Sequence, residues 1–289
     1  MSSYSEWRWQ SSDGLSLFAR DYPGTSGSAR LPVICLHGLT RNSGDFEEVA
    51  PALAAMERRV IVPDVRGRGK SAWDSNSANY VPQTYARDVV ELLAALGISR
   101  AIFVGTSMGG IIMMVLAARH RAKIAAAVLN DVGPEVAPEG LARIQAYAGK
   151  PVELANWDDA VAYVRNINQS ALPHFSDADW ERMAERTFER RDGKPTLKYD
   201  PGISAPLSSG KAKAPSFLAW MLFKRLVKGR PGLVIRGETS DILSRATAER
   251  MVARRPNVEL VEVPGVGHAP MLNEPTSQAA LTAFLKRVP

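Results

Sequence analysis

The chain of 289 residues contains one cysteine, Cys35, so no disulfide can form within it. Cys35 falls in an apolar stretch, where a free thiol behaves as a small buried hydrophobe. A lone cysteine fits a reducing compartment, and the cytoplasm is the expected location. No run approaches the ~18 apolar residues that a membrane-spanning helix requires, so no membrane partner is expected. Met1 to Gln10 is polar and aromatic, without the apolar centre of a signal peptide. Repeats and low-complexity tracts are missing, which argues against solenoids and tail-like segments. An excess of one charge is missing too: 36 Lys and Arg against 30 Asp and Glu leave +6, spread along the chain. Basic and acidic residues interleave, as between Arg182 and Arg191, which reads as solvated helix faces and not as a nucleic-acid surface. Gly69-Lys70-Ser71 is no phosphate-binding loop, because Asp64 stands where that motif needs its first glycine. His120 and His174 form no metal-ligand spacing with nearby Cys or Asp, so neither a metal nor an organic cofactor is expected.

What the chain does have is 45% hydrophobic residues, enough for one large core. Short apolar runs alternate with amphipathic ones. Leu31–Leu36, Val60–Val62, Ala101–Val104, Ile124–Leu129, Gly232–Ile235 and Val258–Val263 have the length and continuity of buried parallel strands. Ser43–Ala55, Tyr80–Gly97, Ile111–His120, Thr247–Arg255 and Glu274–Arg287 have helical period. Two alternating stretches flank Ser12-Asp13-Gly14, which predicts a hairpin at an antiparallel edge. The fold expected is α/β: a mostly parallel twisted sheet of about eight strands with helices on both faces.

The centre of this pattern is Gly105-Thr106-Ser107-Met108-Gly109. A short strand enters it and a long apolar helix leaves it. A strand that turns sharply into a helix through small residues is the setting of an exposed nucleophilic serine. Partners follow in the order aspartate, then histidine. Asp241 follows the strand of Val234 and Ile235, and His268 lies in the Gly- and Pro-rich loop Pro264–Pro270. Asp131, one strand after the serine, is the rival acid. Its alternative reading is a loop residue that bonds backbone.

With these motifs the chain resembles the α/β-hydrolases over nearly its whole length. The resemblance implies a triad of Ser107, Asp241 and His268. It implies an oxyanion hole of the backbone N–H groups of Leu39, after His37-Gly38, and of Met108. The turn Asp64-Val65-Arg66-Gly67-Arg68-Gly69-Lys70-Ser71 matches the family's Asp-x-Arg-Gly-x-Gly-x-Ser. Residues 134–228 break the strand–helix alternation and look like the family's helical lid, inserted into a core of 1–133 and 229–289. Helices are expected there at Gly140–Ala148, Trp157–Ser170, Asp177–Arg191 and Leu218–Leu226. Tyr163, His174, Phe175, Trp180, Phe217 and Trp220 are the lid residues that are pocket candidates, with Phe175, Trp180 and Trp220 expected as substrate contacts. His37 reads as a brace for its loop.

The expected reaction is hydrolysis of a small, largely apolar carboxylic ester or lactone through an acyl-enzyme. Serine at the turn disfavours the dehalogenases and epoxide hydrolases of this family, which use aspartate there. A meta-cleavage C–C hydrolase is the alternative, although Thr106 and Ala269 depart from the Asn and aromatic residue usual at those places. A ligand receptor of the same fold is the non-enzymatic reading.

Overall fold

The computed structural model describes residues 4–25, 29–208 and 216–288. Ten strands and ten α-helices are found among them: β1 Ser5–Gln10, β2 Ser16–Tyr22, β3 Val33–Leu36, α1 Val49–Ala54, β4 Val60–Asp64, α2 Pro82–Ala95, β5 Ala101–Thr106, α3 Met108–His120 and β6 Ile124–Asn130 form the first part. Then come α4 Pro138–Tyr147, α5 Trp157–Asn168, α6 Asp177–Thr187, β7 Phe188–Arg191, β8 Lys194–Leu197, α7 Ala205–Ser208 and α8 Ser216–Val227. The chain closes with β9 Gly232–Gly237, α9 Arg245–Val252, β10 Val258–Val263 and α10 Pro275–Arg287.

Eight strands form one sheet in the order β1-β2-β4-β3-β5-β6-β9-β10. β1 and β2 are antiparallel, as is the β2–β4 pair, and the rest of the sheet is parallel. The continuous apolar runs of the central strands follow from burial on both faces. Period-two alternation sends Ile34, Leu36, Phe103, Ala127 and Leu129 into one core with α2, α3 and α9. It sends Val33, Cys35, Ile102, Val104, Ala126 and Val128 into the other, with α1 and α10. α3 is apolar nearly all round because α2 and α8 pack on its outer side. Among the described residues no helix is long and apolar enough to cross a membrane.

Two local expectations are corrected. The run Asp177–Arg191 does not stay helical: α6 ends at Thr187 and the chain enters a two-stranded ribbon, β7–β8. Asp192 and Gly193, both at positive φ, make its turn, so this Asp-Gly pair joins two strands. The first helix is also broken, into a 3-10 turn over Ser43–Phe46 and α1, and the turn is capped by Asn42.

Strand order places β3 and β5 side by side with their connections running to opposite edges of the sheet. A crevice opens at the carboxyl ends of such a strand pair. The loop after β3 and the turn after β5 both border it, and Ser107 stands at its floor.

The turn after β4 props this crevice from below. Asp64 accepts the backbone N–H groups of Ser43 at 2.6 Å and Lys70 at 2.8 Å. Gly69 lies at positive φ, and a Cβ there would fall 2.1 Å from Asp64 Oδ2, so only glycine fits. Arg66 is fully buried and pairs with Asp13, Asp74 and Asp88, tying the β1–β2 hairpin, a surface loop and α2 to one guanidinium. Arg68, also fully buried, donates to the carbonyls of Leu39 at 2.9 Å and Arg66 at 2.8 Å and to the Tyr85 hydroxyl at 3.0 Å.

Candidate active site

Ser107 caps α3 with φ 50° and ψ −112°, a conformation that L-residues rarely adopt. The sequence pays for this turn with its glycines. A Cβ on Gly105 would meet the backbone of Gly109 and Gly110 at 2.6 Å, and one on Gly109 would meet the Leu36 carbonyl oxygen at 2.1 Å. The Ser107 amide donates to the Asn130 carbonyl at 3.0 Å, which fixes the turn to β6. The side chain projects into the crevice.

His268 Nε2 lies 3.0 Å from Ser107 Oγ, and its Nδ1 lies 2.7 Å from Asp131 Oδ2. A carboxylate can only accept, so Nδ1 carries the proton and Nε2 is left to accept from the serine. The Asp131 carboxylate is fully buried and held by further donors: the Gly237 amide to Oδ1 at 2.9 Å and the Ser240 hydroxyl to Oδ2 at 2.6 Å. Asp131 itself sits at φ 55°, which swings its side chain from the end of β6 toward the histidine loop.

The aspartate expected against the histidine, Asp241, is therefore corrected. Its carboxylate is taken by Arg143 of α4, with Nε to Oδ2 at 2.6 Å and Nη2 to Oδ1 at 2.9 Å. Burial alone would raise the Asp241 carboxyl, but the Arg143 guanidinium outweighs it and holds the group below its ordinary 3.8. The residue of that loop that does reach the site is its neighbour, Ser240. Nothing local in Gly237–Asp241 shows which of the two side chains turns inward.

His37 is fully buried. Its Nδ1 donates to the Gly38 carbonyl at 2.7 Å, and Nε2 accepts the Val65 amide at 3.0 Å. Burial pushes the ring's pKa below its ordinary value, so the ring is a neutral brace between the loops after β3 and β4. Leu39 borders the cavity above Ser107, while Met108 is buried at the first turn of α3, its sulfur 3.6 Å from Arg68 Nη2.

The cavity over Ser107 and His268 has a volume of about 90 Å³. Its roof comes from between β6 and β9: Ile144 and Tyr147 of α4, Tyr163 and Ile167 of α5, and Met183 of α6. Phe175, Trp180 and Trp220 are not among its lining residues, which corrects that expectation. Phe175 and Trp180 pack on each other, ring centroids 4.9 Å apart, in the core between α5 and α6. Trp220 donates to Glu135 at 2.7 Å under the Arg250 guanidinium, away from the serine. Of the candidate aromatics Tyr163 does line the cavity, beside smaller apolar groups. The loop that carries His268 is stitched to this roof, since the Gly267 amide donates to the Ala171 carbonyl at 2.7 Å. A Cβ on Gly267 would approach Ala171 Cα to 2.8 Å, so the two backbones are in direct contact. Among the described residues no three His, Cys, Asp or Glu side chains group as metal ligands.

Comparison with known proteins agrees with this fold. The family model described as the alpha/beta hydrolase fold matches residues 32–275. A 3-hydroxybutyrate-oligomer hydrolase of Cupriavidus necator is 38% identical over 278 residues, 94% of this chain and 93% of that protein. A 2-(acetamidomethylene)succinate hydrolase of Mesorhizobium japonicum is 29% identical over 87% of this chain and 86% of its own. Among solved structures, an alpha/beta hydrolase from Novosphingobium aromaticivorans superposes with a TM-score of 0.92 at 45% identity, covering all of both chains. With the family model spanning most of its length and the serine seated in the crevice that the sheet order creates, the chain belongs to the α/β-hydrolase fold family.

Proposed function

We propose that this protein is a serine hydrolase that cleaves the ester bonds of short 3-hydroxyalkanoate oligomers, with Ser107, His268 and Asp131 as its triad. The observation that carries the reading is the single line of contacts from Ser107 Oγ through His268 to Asp131, at 3.0 and 2.7 Å. The likeness to the 3-hydroxybutyrate-oligomer hydrolase supports the substrate class.

His268 Nε2 takes the serine proton as Oγ attacks the ester carbonyl. The N–H groups of Leu39 and Met108 hold the oxyanion, each donor worth about 100- to 1000-fold in rate. His268 then returns the proton to the departing alkoxide, which leaves as a hydroxy acid. Water gives a proton to His268 and its oxygen to the acyl carbon, and Ser107 recovers its proton. Asp131 holds the Nδ1–H tautomer and stabilises the imidazolium. Residues 134–228 act as a lid, whose apolar helices exclude water from the acyl-enzyme.

The test is hydrolysis of 3-hydroxybutyrate dimer and trimer beside a series of p-nitrophenyl esters, wild type against Ser107→Ala, with a fluorophosphonate label located by mass spectrometry. The reading expects turnover by wild type, a label on Ser107, and a loss of at least about 1000-fold in the variant. Wild-type turnover that survives in Ser107→Ala refutes the nucleophile. A label on Ser107 with lactones cleaved but no linear oligomer keeps the nucleophile and overturns the substrate class.

A further inference from the structure

We propose that Arg41 forms a carboxylate-binding subsite beside the nucleophile, so that the preferred substrates are esters that also carry a free acid. This inference rests on the ester-hydrolase reading above and deepens it. Arg41 lies two residues after Leu39 on the loop that follows β3, and it lines the same cavity as Ser107 and His268. A carbon placed as Cβ on Gly38 would lie 3.4 Å from Arg41 Cγ and 3.9 Å from Ser107 Cβ, so one carbon spans the gap between the two side chains.

The guanidinium is held in place. Asp45 accepts from Nε at 2.8 and 3.1 Å and from Nη2 at 2.7 Å, which occupies one edge of the planar fork. Among the described residues Nη1 has no hydrogen-bond partner. The side chain is 18% exposed, and Arg41 is one of the residues that line the cavity, as is its partner Asp45. A fork fixed along one edge presents its other edge at little entropic cost, which is how arginine recognises carboxylates. The neighbouring wall carries the Tyr147 phenol, which burial pushes above its ordinary pKa and so keeps neutral, able to donate.

The chemistry of the substrate class matches. At the acid end of a 3-hydroxyalkanoate oligomer, the terminal carboxylate lies four bonds from the last ester carbonyl, roughly 5 Å when extended. With that carbonyl over Ser107 and the leaving group laid along the loop after β3, the carboxylate comes to the Leu39–Arg41 side of the cavity. Cleavage then releases one hydroxy acid at a time from the acid end. Asp45 shares the cation and weakens its pull, so the effect expected is tens of fold and not thousands.

The experiment compares the linear 3-hydroxybutyrate dimer with its methyl ester, in wild type, Arg41→Gln and Arg41→Lys. The readout is the ratio of kcat/KM for acid over methyl ester, which cancels any loss common to both substrates. The expected ratio is about 10 to 30 in wild type, at least tenfold lower in Arg41→Gln and intermediate in Arg41→Lys. A wild-type ratio at or below one overturns the proposal, as does a ratio unmoved in Arg41→Gln. Calorimetric titration with 3-hydroxybutyrate itself reads the subsite without turnover. Binding to wild type that weakens at least tenfold in Arg41→Gln supports the subsite, and equal binding, or none to either protein, refutes it. A failure of the ester-hydrolase reading would show instead as absent turnover and absent Ser107 labelling, with the titration still deciding the role of Arg41.

Discussion

Asp131 and Asp241 follow neighbouring strands, β6 and β9, and their loops lie against each other, yet the two carboxylates live under different physics. Asp131 is removed from water and met by an amide, a hydroxyl and an imidazole. Asp241 is about one-third exposed and faces one arginine across the start of the helical insertion. The first carboxylate is costly to bury and is repaid only by fixed donors, so its orientation is stiff. The second belongs to a partly solvated ion pair, a class that contributes little to stability. A pre-organised carboxylate can hold a histidine in one tautomer, while a solvated one is free to serve as a clasp. Ser240 sharpens the contrast, since it is bonded to Asp131 although it adjoins Asp241 in sequence.

The largest expected effect falls on Asp131. Asp131→Asn should lower kcat by about 10⁴-fold with the fold intact, because an amide can offer its N–H and favour the wrong tautomer. Ester hydrolysis with thermal melting alongside checks it, and activity within tenfold of wild type would reverse the roles of the two aspartates. Next comes Ser240→Ala, which removes one of the donors on Asp131 Oδ2. A loss of about tenfold in kcat with KM little changed is expected, as for one charge-assisted hydrogen bond worth ~1.5 kcal/mol. A change in KM alone would mean that Ser240 acts on binding and not on the carboxylate.

The smallest effect belongs to Asp241→Asn. Activity should stay within about threefold of wild type, and Tm should fall by no more than ~4 °C, the scale of a surface ion pair in a chain of this size. Its pH dependence has a definite sign. The folded carboxyl is held below 3.8, so the pair stabilises the fold above that pH, and the contribution is lost as pH falls through the folded value. The Tm gap between wild type and Asp241→Asn should therefore be open at pH 6 and close toward pH 3. A gap that widens on acidification would contradict the Arg143 pairing.

The sequence made parts of this molecule legible and hid others for physical reasons. The turn around Ser107 is readable because its constraint is local: Gly105 and Gly109 must lack side chains whatever the rest of the chain does. The strands are readable because burial on both faces removes polar residues from them. Which carboxylate meets His268 is not decided locally. It depends on a positive φ at Asp131 and on which side chain of the Ser240–Asp241 pair faces inward, and both are settled by contacts between distant loops. The pocket aromatics were hidden likewise. Helical period says that Trp180 is buried but not whether its neighbours are substrate or Phe175. The β7–β8 ribbon did carry a local signal, Asp192-Gly193, masked by the charged helical pattern before it.

The amide of Gly267 is tied to the carbonyl of Ala171, which joins α5 to α6 above the crevice. One residue further on stands His268. The roof and the histidine loop are thus joined at one backbone contact, so a displacement of the α5–α6 connection is felt at the residue before His268. In the proposed reaction, opening of the roof and proton transfer to His268 would then alternate. The exchange rate of that single amide with solvent deuterium is a direct meter of how often the roof lets go.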